Sequence, residues 1–344
     1  MVDMFKGSSQ KAYKIAEIGG NHEGSFEAAV RLTELAAECN IDGIKFQVYT
    51  GDTLVNKRLD PSRNAHFKKF ELTTDQYIEL ARLCKGYGVD FLASIWNEDL
   101  FDIFAPLMPF LKIGSGDATC FGLIERLMSY QKPIVISTGL CTSEDVDEIV
   151  GFVDSVDKSF RSKGLLCLMQ CTSMYPIPDS EANLSVIDTY KKRYAIPVGY
   201  SDHTVGSKAL EIALCKGVDM IEFHFTDKRE GRAFRDHKVS LLPEEVIALN
   251  EFEDELITLL GSSEKSPTES ERSSGHVYSF RRSVYAKHKI DKGSIITSSD
   301  LVSLRPAVDN SAKLYGQLLG STATDNIESL ESILGKTDLS KDIS

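Results

Sequence analysis

The stretch IPVGYSDHTVGSKALEIALCKGVDMIEFHF, residues 196–225, decides the fold. It begins with a strand-length apolar run, Ile196–Asp202, and passes through a polar turn into the helix-like segment Ser207–Lys216. A second short run, Met220–Phe225, closes it. Runs of this kind, rich in β-branched and aromatic residues, suit parallel strands covered on both faces. Towards the N-terminus the same unit recurs, with runs at Lys14–Gly19, Gly43–Val48, Val89–Ile95, Phe110–Ser115, Pro133–Gly139 and Leu165–Cys171. Helix-like segments separate them at Thr74–Tyr87, Phe121–Tyr130, Ser143–Val156 and Leu184–Arg193. An earlier one carries Ala28, Leu32, Leu35, Ala36 and Cys39 on one face, with Ser25 as its N-cap. Strand, helix and strand repeated over roughly 250 residues predicts an α/β fold of the (β/α)8 TIM-barrel type. A doubly wound open sheet is the structural alternative, but no GxGxxG turn follows the first run.

Composition narrows the partners. The 344 residues carry a formal net charge of −12, which argues against nucleic acid or an anionic membrane as the main partner. A few lysines can still focus a positive field inside a cleft, so a small anionic substrate stays open. No run approaches the ~18 uninterrupted apolar residues of a membrane span. Met1–Lys11 lacks the pattern of a signal peptide. Seven scattered cysteines, Cys167 and Cys171 included, read as buried reduced thiols, which predicts a cytoplasmic protein.

One connection is long. Tyr49 to Leu72 is rich in charge and follows a strand end, so it is expected to act as a lid over the barrel mouth. After the helix-like Pro243–Leu260, residues 261–276 are heavy in Ser, Glu, Lys and Pro, which is a linker composition. The chain is therefore divided into a barrel at 1–261, a linker at 262–281 and a small β-rich domain at 282–344. Arg282–Lys287, the Lys292-Gly293 turn and Ile295–Leu304 mark the last. A module so small buries little surface alone and is expected to dock onto another.

Barrel chemistry sits at the C-terminal strand ends. In order these carry Glu17; Lys45 and Gln47; Ser94; Lys112, Ser115 and Asp117; Ser137; Tyr175; Ser201 and His203; and Glu222 and His224, followed by Asp236. Singly, a strand-end Ser is a helix cap, a strand Lys snorkels and a buried His is a hydrogen-bonded core residue. Together these bland readings fail, because desolvating so many polar groups at one mouth is costly without partners or substrate. Two Lys with several hydroxyls suit a phosphate or a phosphate-plus-carboxylate ligand. His203 and His224, on neighbouring strands, can offer imidazoles to one divalent ion. Mn²⁺ suits such a set, with Mg²⁺ or Co²⁺ as alternatives. Glu17 and Asp236 are then acid–base or hydroxyl-binding candidates.

In this order and spacing, the chain resembles the sialic acid synthase family. The stretches that carry the likeness are Ala16–Gly19, Asn21–Gly24, Lys45–Gln47, Lys112–Gly116, Ser137–Gly139, Cys171-Thr172 with Tyr175-Pro176, Gly199–Thr204, Glu222–Thr226 and Asp236–Lys238. Arg281–Ser283 to Arg305-Pro306 resembles the antifreeze-like domain, also called SAF, that ends those enzymes. The resemblance implies a synthase that joins phosphoenolpyruvate to an N-acetylated amino sugar of the mannose type. The product would be N-acetylneuraminate, legionaminate or pseudaminate. It implies that Lys45, Ser94, Lys112, Ser115, Ser137 and Ser201 hold phosphoenolpyruvate and that His203 and His224 bind the metal. Glu17 would assist at the reacting centre. Gln47, Asn64, Asp117, Tyr175 and Asp236 would contact the sugar, and Arg305 would reach its N-acyl group from the partner subunit of a domain-swapped homodimer.

The chain departs from the family pattern where Ser94-Ile95-Trp96 replaces Thr-Pro-aromatic, where Gln170 replaces His, and where Asp117 replaces Glu. Phe234-Arg235 stands for Gly-Pro, and Asn326–Ile333 lacks a basic Gly turn. Several of these lie where the sugar is expected, so they bear on which sugar is used. Three rival readings are weighed beside the resemblance. A condensing barrel for phosphorylated aldoses calls for extra Arg at the mouth, which the strand ends lack. A Schiff-base aldolase would use Lys45 or Lys112 as nucleophile. A non-catalytic carbohydrate-binding protein would need neither metal nor phosphate ligands.

Overall fold

Short buried runs without helical spacing become strands. A computed structural model describes residues 11–232 and 234–339. The outer ends of the expected domains, 1–10 and 340–344, lie outside the described residues, as does nearly all of the Met1–Lys11 reading. The chain divides into two compact units after Leu260.

The first unit holds eight strands: β1 (Tyr13–Glu17), β2 (Gly43–Val48), β3 (Asp90–Ile95), β4 (Leu111–Ile113), β5 (Ile134–Ser137), β6 (Leu166–Cys171), β7 (Val198–Asp202) and β8 (Met220–His224). All pair in parallel, in the order β3-β2-β1-β8-β7-β6-β5-β4. β3 and β4, at the two ends of this ladder, lie against each other and bring the sheet round into a barrel. Strands so paired are buried on both faces, as their unbroken apolar runs require. Gly199 is required where β7 approaches β8, because a Cβ there would lie 2.7 Å from the Met220 side chain and 2.9 Å from its carbonyl oxygen.

The outer helices start where side chains can cap them. Ser25 accepts from Ala28 N at the start of Phe26–Ala37, whose inner face buries Ala29, Leu32 and Ala36. Capping boxes at Thr73 and Thr142 open Thr74–Tyr87 and Ser143–Asp157. Each such cap contributes about 1 kcal/mol. The expected repeat is broken once. Between β3 and β4 there are only single turns at Glu98–Leu100, Phe101–Phe104 and Ala105–Leu107, where Pro106 and Pro109 leave no room for a long helix. Among the described residues no helix is long and apolar enough to cross a membrane.

Register fixes the level of the mouth. Glu17 on β1 stands opposite Lys45 on β2 and His224 on β8, while Ser201 on β7 stands opposite Glu222. Alternation along β8 then turns Glu222 and His224 to the same side.

The second unit is small. β9 (Ser283–Ala286) and β10 (Leu301–Leu304) form an antiparallel pair, as do β11 (Thr322–Ala323) and β12 (Thr337–Asp338). Its core holds Val284, Ile290, Ile296, Leu318, Ile327 and Ile333. The 262–281 segment, expected to be a bare linker, contains the helices Glu269–Ser273 and His276–Ser279. A capping box between Thr268 and Glu271 starts the first of them.

Candidate active site

The strand ends of the first unit open on a cavity of 840 Å³. Glu17, Lys45, Gln47, Ser94, Lys112, Ser115, Asp117, Ser137, Tyr175, Ser201, His203, His224 and Asp236 all line it. One expected residue, Asn64, does not, while Arg305 is expected at the partner's site. Asn64 is buried in the helix Pro61–Lys68, and its amide donates to Gly51 O at 2.6 Å, to Val55 O at 3.1 Å and to Asp52 Oδ1 at 3.2 Å. With its donors committed to neighbouring backbone, it fastens the 51–68 connection rather than facing a sugar. Arg305 lies in the second unit, exposed, with its guanidinium 5.5 Å from the Phe280 ring centroid.

The deepest part of the cavity is a charge cluster. Lys45 Nζ lies 2.5 Å from Glu17 Oε2 and 3.7 Å from Glu222 Oε1, and Lys112 Nζ lies 3.7 Å from Glu222 Oε2. Ser201 donates to Glu222 Oε1 at 3.2 Å, Gln47 Nε2 to Glu17 Oε1 at 2.8 Å, and Lys112 to Ser137 Oγ at 2.7 Å. Burial pushes the Glu17 carboxyl up, and Glu222 adds to this against Lys45. Glu222 is held low despite burial because both lysines face it. Burial would also lower Lys45, but the two carboxylates outweigh it. Lys112 is pushed down by burial, with Glu222 the strongest of the groups that oppose it. The cluster is incomplete in itself, since Glu222 Oε2 is buried without a hydrogen bond. A buried carboxylate oxygen without a donor is costly, and it marks the cluster as a functional-site candidate.

Beside this cluster His203 and His224 stand with ring centroids 5.3 Å apart. Burial would lower His203, but Cys171 and the Thr172 carbonyl, which accepts from Nδ1 at 2.7 Å, raise it to about 9, so a metal at Nε2 would displace a proton. His224 is driven well below the usual imidazole range by burial and by His203, so it is neutral, and its Nδ1 is buried with no hydrogen-bond partner. A neutral imidazole with an orphaned nitrogen, beside a second ring whose Nε2 proton a cation would displace, fits the imidazole share of a divalent-ion site. Asp236 Oδ2 lies 3.9 Å from His224 Nδ1, and Tyr175 stacks on His203 at 4.0 Å between centroids. Among the described residues no group of three or more His, Cys, Asp or Glu is arranged to hold a metal, so the protein's share would be the two rings.

Several lining residues were not assigned from the sequence. Glu222 is read at the mouth from the sequence but given no role there; it lies two residues before His224 on the same face of β8. Arg63 and Phe67 come from the helix Pro61–Lys68, one turn apart, and Arg235 follows β8 with its guanidinium 4.6 Å from the Tyr175 ring. The strand ends lack arginine, as expected, but these two reach the cavity from connections. The Tyr49–Leu72 connection is folded into Gly51–Leu54 and Pro61–Lys68, and its residues 54–56, 59, 60, 63 and 67 line the cavity. Cys171 also lines the cavity, 3.8 Å from His203 Nδ1, where core packing was expected. Cys120 and Cys215 are exposed rather than buried, while every cysteine is free.

Comparison with known proteins follows the same division. The model of the NeuB family matches residues 32–265, and that of the SAF domain matches 281–337. An N,N'-diacetyllegionaminic acid synthase of Legionella pneumophila is 32% identical over 345 residues, covering 96% of this chain and 95% of that protein. The N-acetylneuraminate-9-phosphate synthase of Homo sapiens is 31% identical over 304 residues, covering 85% of this chain and 82% of that protein. The crystal structure of an N-acetylneuraminic acid (sialic acid) synthetase from Leptospira borgpetersenii, in complex with citrate, superposes with a TM-score of 0.70 at 26% identity. It covers 77% of this chain and 90% of that one. The chain belongs to the NeuB family and carries a C-terminal SAF domain.

Proposed function

We propose that the protein condenses phosphoenolpyruvate with an N-acetylated amino sugar of the mannose type, making a sialic-acid-type nonulosonic acid and releasing phosphate. The observation that carries this reading is the convergence of Lys45 and Lys112 on one buried carboxylate, Glu222, beside Ser137 and Ser201 and next to the His203–His224 pair. Two ammonium groups and several hydroxyls in a water-poor pocket suit the phosphate and carboxylate of one small acid. The names of the three relatives described above, synthases of N,N'-diacetyllegionaminic acid, N-acetylneuraminate-9-phosphate and N-acetylneuraminic acid, support the same reaction class.

In this reading Lys45, Ser94, Lys112, Ser115, Ser137 and Ser201 bind phosphoenolpyruvate. Its methylene carbon bonds to the open-chain aldehyde carbon, water adds to the resulting cation, and the carbon–oxygen bond to phosphate breaks. Glu17, buried against Lys45 and Gln47, is placed to carry the proton that the adding water loses to the developing alkoxide. Gln47, Asp117, Tyr175 and Asp236 orient the sugar. A divalent ion bound by His203 and His224, Mn²⁺ with Mg²⁺ or Co²⁺ as alternatives, would supply Lewis-acid polarisation of the aldehyde oxygen. We further propose that the enzyme is cytoplasmic and works as a domain-swapped homodimer in which Arg305 completes the partner's site. Mixing Glu17→Ala and Arg305→Ala chains should then revive about a quarter of the sites, and no revival after proven subunit exchange would exclude the swap.

One observation favours a second reading of the sugar. Arg63 and Arg235 line the cavity and could take a terminal phosphate on the substrate. The deciding experiment measures phosphate release from phosphoenolpyruvate against N-acetylmannosamine, its 6-phosphate and a diacetamido deoxy analogue. Release with one of them, without a borohydride-trapped imine, supports condensation over an aldolase. No release with any member of the panel would overturn the proposal.

A further inference from the structure

The chain has one tryptophan, and it stands at the cavity. Trp96 follows the last residue of β3, and its backbone N–H donates to Val48 O at 2.9 Å, which fixes where the indole emerges. The ring packs on Tyr49 at 5.7 Å between centroids, and Tyr49 meets Phe67 of the 51–68 connection edge-on at 5.5 Å. At its other end the indole Nε1–H donates to Asp117 Oδ2. Asp117 lies in the single turn Ser115–Asp117 after β4, half-buried, and among the described residues no other group hydrogen-bonds its carboxylate. Indole is a donor only, so it can hold a carboxylate oxygen without competing for what that carboxylate accepts elsewhere. Oδ1 is left with its acceptor capacity for a ligand.

From this geometry we infer that Trp96 is a positioning residue for the sugar: it clamps Asp117 as a hydroxyl acceptor and joins it, through Tyr49 and Phe67, to the 51–68 connection. The inference rests on the sugar-binding reading of the cavity. A carboxylate on a one-turn segment has rotamer freedom, and an acceptor that must meet a particular hydroxyl loses affinity when it wanders. Phenylalanine at position 96 would keep the stacking on Tyr49 and remove only the N–H. The residue therefore acts on sugar recognition through Asp117, and its one donor is not spent on any of the side chains assigned to phosphoenolpyruvate, Lys45, Ser94, Lys112, Ser115, Ser137 and Ser201.

The test uses the full-length enzyme in two arms. In the kinetic arm, Trp96→Phe should raise KM for the preferred sugar about tenfold, as expected for loss of a hydrogen bond to a charged group, with KM for phosphoenolpyruvate within about twofold. In an Asp117→Ala background, Trp96→Phe should add less than about twofold, because the clamp then has nothing to hold. Equal effects in both backgrounds, or parallel rises in both KM values, would show a merely structural tryptophan and overturn the inference. The second arm needs no turnover. Because Trp96 is the only indole, all tryptophan emission comes from this ring, and Asp117→Ala should shift the emission maximum while Asp236→Ala should not. An unchanged spectrum for Asp117→Ala would overturn the clamp even if Trp96→Phe failed to fold. If the condensation reaction itself is absent, the kinetic arm fails for every sugar while the emission arm still reports the contact, so the two failures are told apart.

Discussion

Two buried lysine–glutamate pairs meet at β1, one on each side of it. On the outer side, Lys14 pairs with Glu253 of the helix Pro243–Leu260, whose other carboxylate oxygen accepts from Ala12 N at 2.8 Å. On the inner side, Glu17 pairs with Lys45, and around them a second lysine, a second glutamate and two serines share too few hydrogen bonds. The outer pair is complete: one cation, one anion, and each carboxylate oxygen with its own donor. The inner set is open, with Glu222 Oε2 left over and Lys112 disfavoured by its own burial. A closed pair holds two elements together. An open one is held in its unfavourable state by the surrounding fold and is satisfied only when a ligand arrives.

The comparison is broken most directly at Lys112. Lys112→Met should lower phosphate release by about a thousandfold, the scale of losing a preorganised donor at a charged site. The same change should leave thermal stability unchanged or slightly raised, because it removes a buried cation that pairs poorly. Lys14→Met should behave in the opposite way. It strands Glu253 in the interior, so urea unfolding should show a loss of roughly 3–5 kcal/mol, with kcat and both KM values of the folded fraction unchanged. Lys14→Met with Glu253→Gln should recover much of the loss, since the amide oxygen can still accept from Ala12 N. If Lys112→Met unfolds the protein while Lys14→Met inactivates it, the two pairs have been assigned the wrong way round.

His22 sharpens the same contrast through pH. It is buried beside the mouth but does not line the cavity, and its Nδ1 accepts from Gly24 N at 3.1 Å. Burial lowers it from 6.5 to about 4. The folded protein thus binds this proton less readily than the unfolded chain. His22 adds stability above pH 6.5 that is lost as pH falls through about 4. The full difference corresponds to roughly 3 kcal/mol. His22→Gln should flatten the decline in urea midpoint between pH 7 and pH 4 by about that amount. An unchanged slope would mean that the loss at acid pH comes from elsewhere.

The barrel was legible because the strands are short and apolar and most are followed by a helix; Ser25 marks the start of the first helix in the sequence as it does in the structure. The strand-end site was legible for the same reason, since alternation and register place Glu17, Lys45 and His224 at one level. What the sequence hid lies in connections. Arg63, Phe67 and Arg235 enter the cavity from segments whose path no periodicity dictates. The absence of a full helix between β3 and β4 turned on Pro106 and Pro109, and the helix Glu269–Ser273 on a local capping box inside a linker-like composition. Trp96 was visible as an oddity, but its bond to Asp117 spans two strands and needs the fold to be seen.

Asn64 gives the mildest and most specific prediction, because it separates a fastening role from a binding one. Its side chain is 5% exposed, and its amide nitrogen joins Gly51 O, Val55 O and Asp52 Oδ1, so it closes the loop that carries Arg63 and Phe67. Asn64→Ala leaves Val55 O without its donor, while Gly51 O keeps Val55 N at 3.0 Å, a cost of about 1–3 kcal/mol if the orphan stays buried. That cost falls on the local closure of residues 51–68 and not on the barrel, which has its own core. Hydrogen exchange and limited proteolysis should therefore quicken in this segment, with the global unfolding midpoint nearly unmoved. KM for the sugar should rise a few-fold through the loosened Phe67 and Arg63, and KM for phosphoenolpyruvate should stay put. Asn64→Asp makes the argument decisive: it keeps the shape and removes the donor. If Asn64 touched the sugar directly, Ala and Asp would change sugar selectivity across the panel in different ways without loosening the segment. If it fastens the loop, both should loosen the segment and raise KM for every sugar by a similar factor.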